Sequence, residues 1–148
     1  MGVIADAALA SGGEVIGVIP QALVDRELAH HGVSELRIVQ SMHERKALMA
    51  DLADAFIALP GGYGTLEEFC EILTWAQLGL HRKPFGLLNV QQFYRSFLQH
   101  IDHAAGLGFI RAEHRTLVIV EENIDTLLEK FATFRPPAVH KWIEREET

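Results

Sequence analysis

Apolar positions along the chain fall into two alternating patterns. Short continuous runs occur at 14–19 (EVIGVI), 35–39 (ELRIV), 55–59 (AFIAL), 85–90 (FGLLNV) and 116–120 (TLVIV). They are rich in β-branched residues, and several are cut by proline or glycine, so they read as five strands. The segments between them carry helical spacing. Residues 3–9 read as the end of a helix closed by Ser11-Gly12-Gly13. Ser41 stands where it can cap a helix over 42–53, a strong helix runs from about 65 to 80, and two more cover 93–106 and 124–134. Residues 22–31 are ambiguous between loop and weak helix. Because the strand runs are continuous rather than alternating, both of their faces should be covered. The economical fold is α/β, a Rossmann-like open parallel sheet flanked by helices. One domain over 1–134 and a charged tail over 135–148 are expected, the tail anchored by Trp142. No internal repeat is visible. The chain opens directly on a helix, whereas a nucleotide-binding α/β domain normally opens on a strand and a glycine-rich turn.

Composition narrows the class. The chain has 148 residues, 49% apolar and 22% charged, with a formal charge of −7. That suits a globular domain able to bury a core without staples. A single cysteine, Cys70, excludes an internal disulfide and a cysteine-rich zinc pattern. No apolar run nears the ~18 residues of a membrane span. MGVIADAALA lacks the basic start of a secretory signal. The acidic balance argues against nucleic acid as a partner. An intracellular, cytoplasmic protein is expected.

Chemistry concentrates at 55–71, where a strand runs into PGGYGT and then into LEEFCE opening a helix. Ligands of open α/β sheets sit beyond the carboxyl ends of strands. Gly61, Gly62 and Gly64 permit unusual dihedrals and close backbone approach. The following helix start aims N–H groups and its positive dipole end at the loop, which suits phosphate. Thr65 adds a hydroxyl donor. The pattern is neither a Walker loop nor a GxGxxG fingerprint. It is also compatible with a tight turn that binds nothing. Glu68 has two readings. With Thr65 as N-cap, Glu68 would be N3 of a capping box. Alternatively its carboxylate has a catalytic task, since Glu67, Glu68 and Glu71 otherwise crowd a phosphate site with negative charge.

A second stretch, SMHERKALMADL at 41–52, puts Arg45, Leu48, Met49 and Leu52 on one helix face. Arg45 therefore lies on the apolar stripe, and Lys46 lies about 100° round the helix. A buried guanidinium needs an anionic partner, such as a ligand phosphate or Glu68. The plainer reading is snorkelling at the helix start. His100 and His103 share a helix face without a third ligand, so no metal is expected. His30 and His31 read as loop surface, and Cys70 as core beside Leu66, Phe69 and Leu73. The 65–80 helix is apolar around much of its circumference, which points to a second subunit or, in the plainer reading, to cover by the chain's own C-terminal helix.

PGGYGTLEE at 60–68, preceded by MHERKALM at 42–49, resembles the Lonely Guy family. These are cytokinin riboside 5′-monophosphate phosphoribohydrolases, long mislabelled as lysine decarboxylases. The family motif PGGxGTxxE is matched by Pro60, Gly61, Gly62, Gly64, Thr65 and Glu68. The resemblance extends through ADAALASGGEVIGVIP before and TWAQLGLHRKPFGLLNV after, nearly the whole chain. It implies hydrolysis of the N-glycosidic bond of a purine nucleoside 5′-monophosphate, either a cytokinin precursor or AMP. Free base and ribose 5-phosphate would be released. Glu68 would be the catalytic carboxylate and Arg45 its catalytic partner. Lys46, Gly61, Gly62, Tyr63, Gly64 and Thr65 would bind substrate and phosphate. It implies a homodimer and no cofactor. It also implies that family members carry an N-terminal strand–helix–strand ahead of Met1, roughly 50 residues by the size of such a unit. The sheet is therefore expected to be interrupted at or beside its centre, next to PGGYGT. The alternative is a nucleotide-binding module without turnover, related to cofactor-carrier proteins of the same fold.

Overall fold

A computed structural model describes residues 2–26 and 30–136. The tail expected at 135–148, with Trp142, lies almost wholly outside the described residues. All five strands form, and every pairing is parallel. They divide into a two-stranded and a three-stranded sheet. The chain itself divides into two compact units between Ala53 and Asp54.

The first unit contains α1 (Gly2–Ala10), β1 (Ile16–Pro20), the single turn α2 (Gln21–Val24), β2 (Glu35–Val39) and α3 (Met42–Leu52). β1 and β2 pair from Ile16 with Glu35 to Pro20 with Val39. α3 packs on both strands. Its start follows the sequence: the Ser41 hydroxyl accepts from the Glu44 amide at 3.1 Å, and the Glu44 carboxylate accepts from the Gln40 amide at 2.8 Å. This reciprocal arrangement satisfies donors at the helix entrance. Within the ambiguous 22–31 segment, α2 overlaps the start, and residues 27–29 lie outside the described residues. His30 lies outside helix and strand, as expected, and its Nε2 meets the exposed Asp6 of α1 at 2.8 Å.

The second unit runs β3 (Phe56–Ala58), α4 (Tyr63–Leu78), β4 (Phe85–Leu88), a tight turn (Val90–Gln92), α5 (Arg95–Gly106), α6 (Ala112–Arg115), β5 (Ile119–Glu121) and α7 (Ile124–Ala132). Strand order is β3-β4-β5. Two successive crossovers in one direction put α4 and α5 on the same face, because such connections are right-handed. The packing agrees. Phe85 and Leu87 of β4 are fully buried against Phe69 and Ala76 of α4, with Phe97 and Leu98 of α5 closing the cluster. Phe69 meets the Phe85 and Phe97 rings edge-on at 5.9 and 6.3 Å. The residue between Phe85 and Leu87 points the other way. It is Gly86, and a Cβ there would come within 2.9 Å of Leu127 and 3.2 Å of Phe131, both of α7. α7 therefore lies close against the opposite face. This two-sided cover explains why the β4 run is apolar without alternation, and each buried Phe or Leu contributes about 1.5–3 kcal/mol. No described helix is long and apolar enough to cross a membrane.

Candidate functional site

The glycine loop occupies the expected place, joining the carboxyl end of β3 to α4. The helix, however, begins at Tyr63 with Gly62 as N-cap, two residues earlier than the sequence suggested. The first helical bond runs from the Leu66 amide to the Gly62 carbonyl at 3.1 Å. The amides of Tyr63, Gly64 and Thr65 thus precede the intrahelical ladder and face off the end of the helix. Thr65 is then N3 rather than N-cap, so the capping-box reading of Glu68 does not hold. Glu68 lies in the second turn, half-buried. At i+4 and i+3 it shares a face with Gly64 and Thr65.

The glycines are not there for left-handed dihedrals. None of Gly61, Gly62 and Gly64 has a positive φ. A Cβ on Gly61 would come within 2.2 Å of the Thr65 hydroxyl oxygen and 2.9 Å of its Cβ, so the loop folds onto the first turn only because that position is bare. Around Gly62 and Gly64 the added atom meets nothing within 4 Å. The backbone there borders open space, which lets a ligand approach the amides closely. Tyr63 is 94% exposed at the helix start.

Sequence reasoning missed the support of this loop. The Tyr94 hydroxyl donates to the Leu59 carbonyl, one residue ahead of Pro60. The Tyr94 amide donates to the Asn89 side-chain oxygen at 2.8 Å, and the Asn89 amide to the Glu121 carbonyl at 2.7 Å. Tyr94 and Asn89 are both buried. The available signal was Asn89, a polar residue closing the apolar run FGLLNV, because a buried amide must find partners.

Arg45 and Lys46 belong to the first unit and are half-buried on α3. The Arg45 Nε donates to the Val18 carbonyl of β1 at 3.2 Å. This bond ties the guanidinium to the β1 main chain.

Cys70 is half-buried. Burial, and then the Glu67 charge, push its thiol pKa up, so it stays an unreactive packing thiol. His81, another residue the sequence reading passed over, lies 5.4 and 6.0 Å from the Phe56 and Phe85 rings. Its Nδ1 accepts from the Lys83 amide at 3.2 Å while Nε2–H donates to the Ile72 carbonyl at 2.8 Å. Burial lowers its pKa, the Ile72 bond opposes this, and the Lys83 charge adds to the lowering. It is a neutral structural histidine. His100 and His103 are exposed, and no group of three or more His, Cys, Asp or Glu side chains gathers among the described residues. On α4, Phe69 and Ala76 are buried while Trp75 and Leu78 are half-buried.

Comparison with known proteins places the chain in a family. The family model described as "possible lysine decarboxylase" matches residues 1–131. A cytokinin riboside 5′-monophosphate phosphoribohydrolase of Rhodococcoides fascians is 58% identical over 126 residues, 84% of this chain and 64% of that protein. The cytokinin riboside 5′-monophosphate phosphoribohydrolase LOG of Oryza sativa subsp. japonica is 52% identical over 136 residues, 92% of this chain and 56% of that protein. LOG4 of Arabidopsis thaliana, which bears the same enzyme name, is 51% identical over 136 residues, 92% of this chain and 63% of that protein. The chain therefore spans 56–64% of the length of these relatives. With the model matching from residue 1 to residue 131, the chain belongs to the "possible lysine decarboxylase" family, the Lonely Guy family that PGGYGTLEE resembles.

Proposed function

We propose that the protein hydrolyses the N-glycosidic bond of cytokinin riboside 5′-monophosphates, and of AMP, to free base and ribose 5-phosphate. The observation that carries this is the join at Gly62. Three amides precede the helical ladder beside open backbone, and Glu68 lies one turn further on the same face. The amides of Tyr63, Gly64 and Thr65, with the helix dipole, hold the 5′-phosphate. Departure of the base leaves an oxocarbenium-like centre at C1′. The Glu68 carboxylate stabilises that cation and takes a proton from the attacking water, and that proton passes on to the base, which has left with the bonding electron pair. Arg45, whose Nε donates to the Val18 carbonyl, and Lys46 are the α3 residues for which the family resemblance implies a catalytic and a substrate-binding role. No cofactor enters this scheme.

A homodimer and a cytoplasmic location belong to the same reading, supported by the family resemblance and by the absence of a membrane-crossing helix among the described residues. The test incubates the protein with AMP and with isopentenyladenosine 5′-monophosphate and follows free base by chromatography. Release from either nucleotide is expected. Binding of both without release would replace the enzyme with a nucleotide-binding module.

A further inference from the structure

We propose that Tyr94 is a positioning residue for the nucleotide site, fixing the main chain just ahead of the glycine loop through its hydroxyl bond to the Leu59 carbonyl. The inference rests on the nucleotide reading above. Three hydrogen bonds join the carboxyl ends of all three strands in this unit. Leu59, following β3, accepts from the Tyr94 hydroxyl. Asn89, following β4, accepts the Tyr94 amide, and its own amide reaches Glu121, the last residue of β5. The donor is held rigidly. Tyr94 is 2% exposed, with the Phe93 and Phe97 rings edge-on at 5.0 and 6.4 Å. Burial also pushes its phenol pKa up, so the hydroxyl keeps its proton and remains a donor.

The chain accepts an unusual backbone to make this connection. Gln91 and Gln92 have φ of 50° and 58°, left-handed values that side chains seldom adopt. Two in succession, between Asn89 and Tyr94, persist only where the surroundings over-determine them. The turn brings the Tyr94 amide back onto the Asn89 side chain, and the tyrosine ring then reaches β3. Phosphate-binding amides must be held to a fraction of an ångström for the phosphate to meet them all at once. The brace supplies that constraint at Leu59, just ahead of the loop, while Gly61 against Thr65 supplies it where the loop meets the helix.

The test compares Tyr94→Phe with the unaltered protein and with Phe131→Leu, a core change on the opposite sheet face. Two quantities are read: AMP hydrolysis, and hydrogen exchange at the Leu66 amide, which is bonded to the Gly62 carbonyl of the loop. Tyr94→Phe should raise KM roughly 3- to 10-fold with kcat changed by less than about twofold, as loss of one positioning hydrogen bond implies. It should also speed exchange at the Leu66 amide by a similar factor. Phe131→Leu should lower thermal stability and move neither quantity. Unchanged KM in Tyr94→Phe, or an equal rise in Phe131→Leu, overturns the proposal. If the unaltered protein neither binds nor cleaves AMP, the nucleotide reading fails. The exchange comparison alone then decides whether Tyr94 fixes the loop.

Discussion

Gly61 and Gly64 differ in what a methyl group would meet. At Gly61 it collides with Thr65, whereas at Gly64 it enters open space inside a helix. Gly61→Ala should therefore displace the loop and lower thermal stability. Gly64→Ala should raise stability by up to about 1 kcal/mol, because alanine is the better helix former, yet weaken AMP binding by obstructing the amides. Denaturant titration paired with calorimetric AMP titration checks both; tighter or unchanged AMP binding by Gly64→Ala would argue against phosphate approach there. His81 yields a pH prediction. Its folded-state pKa is depressed, so above about pH 6.5 both folded and unfolded forms are neutral and its contribution is complete. As pH falls below that value the unfolded chain takes up the proton first. Stability then declines by at most about 1.4 kcal/mol per pH unit until the folded-state pKa is reached. His81→Gln should flatten this fall in urea midpoints measured from pH 7.5 to 5.5; parallel profiles would remove His81 from the account. Neither His81 nor Tyr94 was legible beforehand. Each acts through partners distant in sequence, and no local spacing announces a ring bonded to a remote carbonyl.

At the scale of elements, caps and strand runs were legible because their signals are local. Ser41 was read as a helix start and serves as one, so Ser41→Ala should cost about 1 kcal/mol and speed exchange at the Glu44 amide. All five apolar runs became strands, though each shifted or shortened at its ends except 35–39. The start of α4 was misplaced because Thr65 looked like a cap. The glycines before it could enter the helix, and the contact between Thr65 and bare Gly61 decided the matter. That correction removes the structural explanation for Glu68 as a capping-box residue. The turn after β4 was not legible at all, since FGLLNV reads as strand to its end and glutamine carries no left-handed signal. Gln92→Gly should relieve the positive φ and stabilise by a few tenths to about 1 kcal/mol, the gain being offset in part by a looser unfolded chain. Differential scanning calorimetry reads this directly, and a lower Tm would contradict the strain.

At the scale of the molecule, fold class came from the alternation of patterns, whereas chemistry came from one segment of nine residues and the family resemblance it carries. Composition alone excluded classes without choosing an activity. The net charge of −7 gains meaning beside the proposed function: an overall field of that sign does not favour an anionic nucleotide, so its attraction would have to be local and should weaken with added salt less than a long-range field would. The central claim is that Glu68 performs chemistry while the loop performs binding. It is tested by measuring AMP affinity and adenine release together in Glu68→Gln. The account predicts that release falls by about 10²- to 10⁴-fold while the dissociation constant stays within about threefold. Unchanged adenine release, or loss of AMP binding in a variant that remains folded, would contradict it.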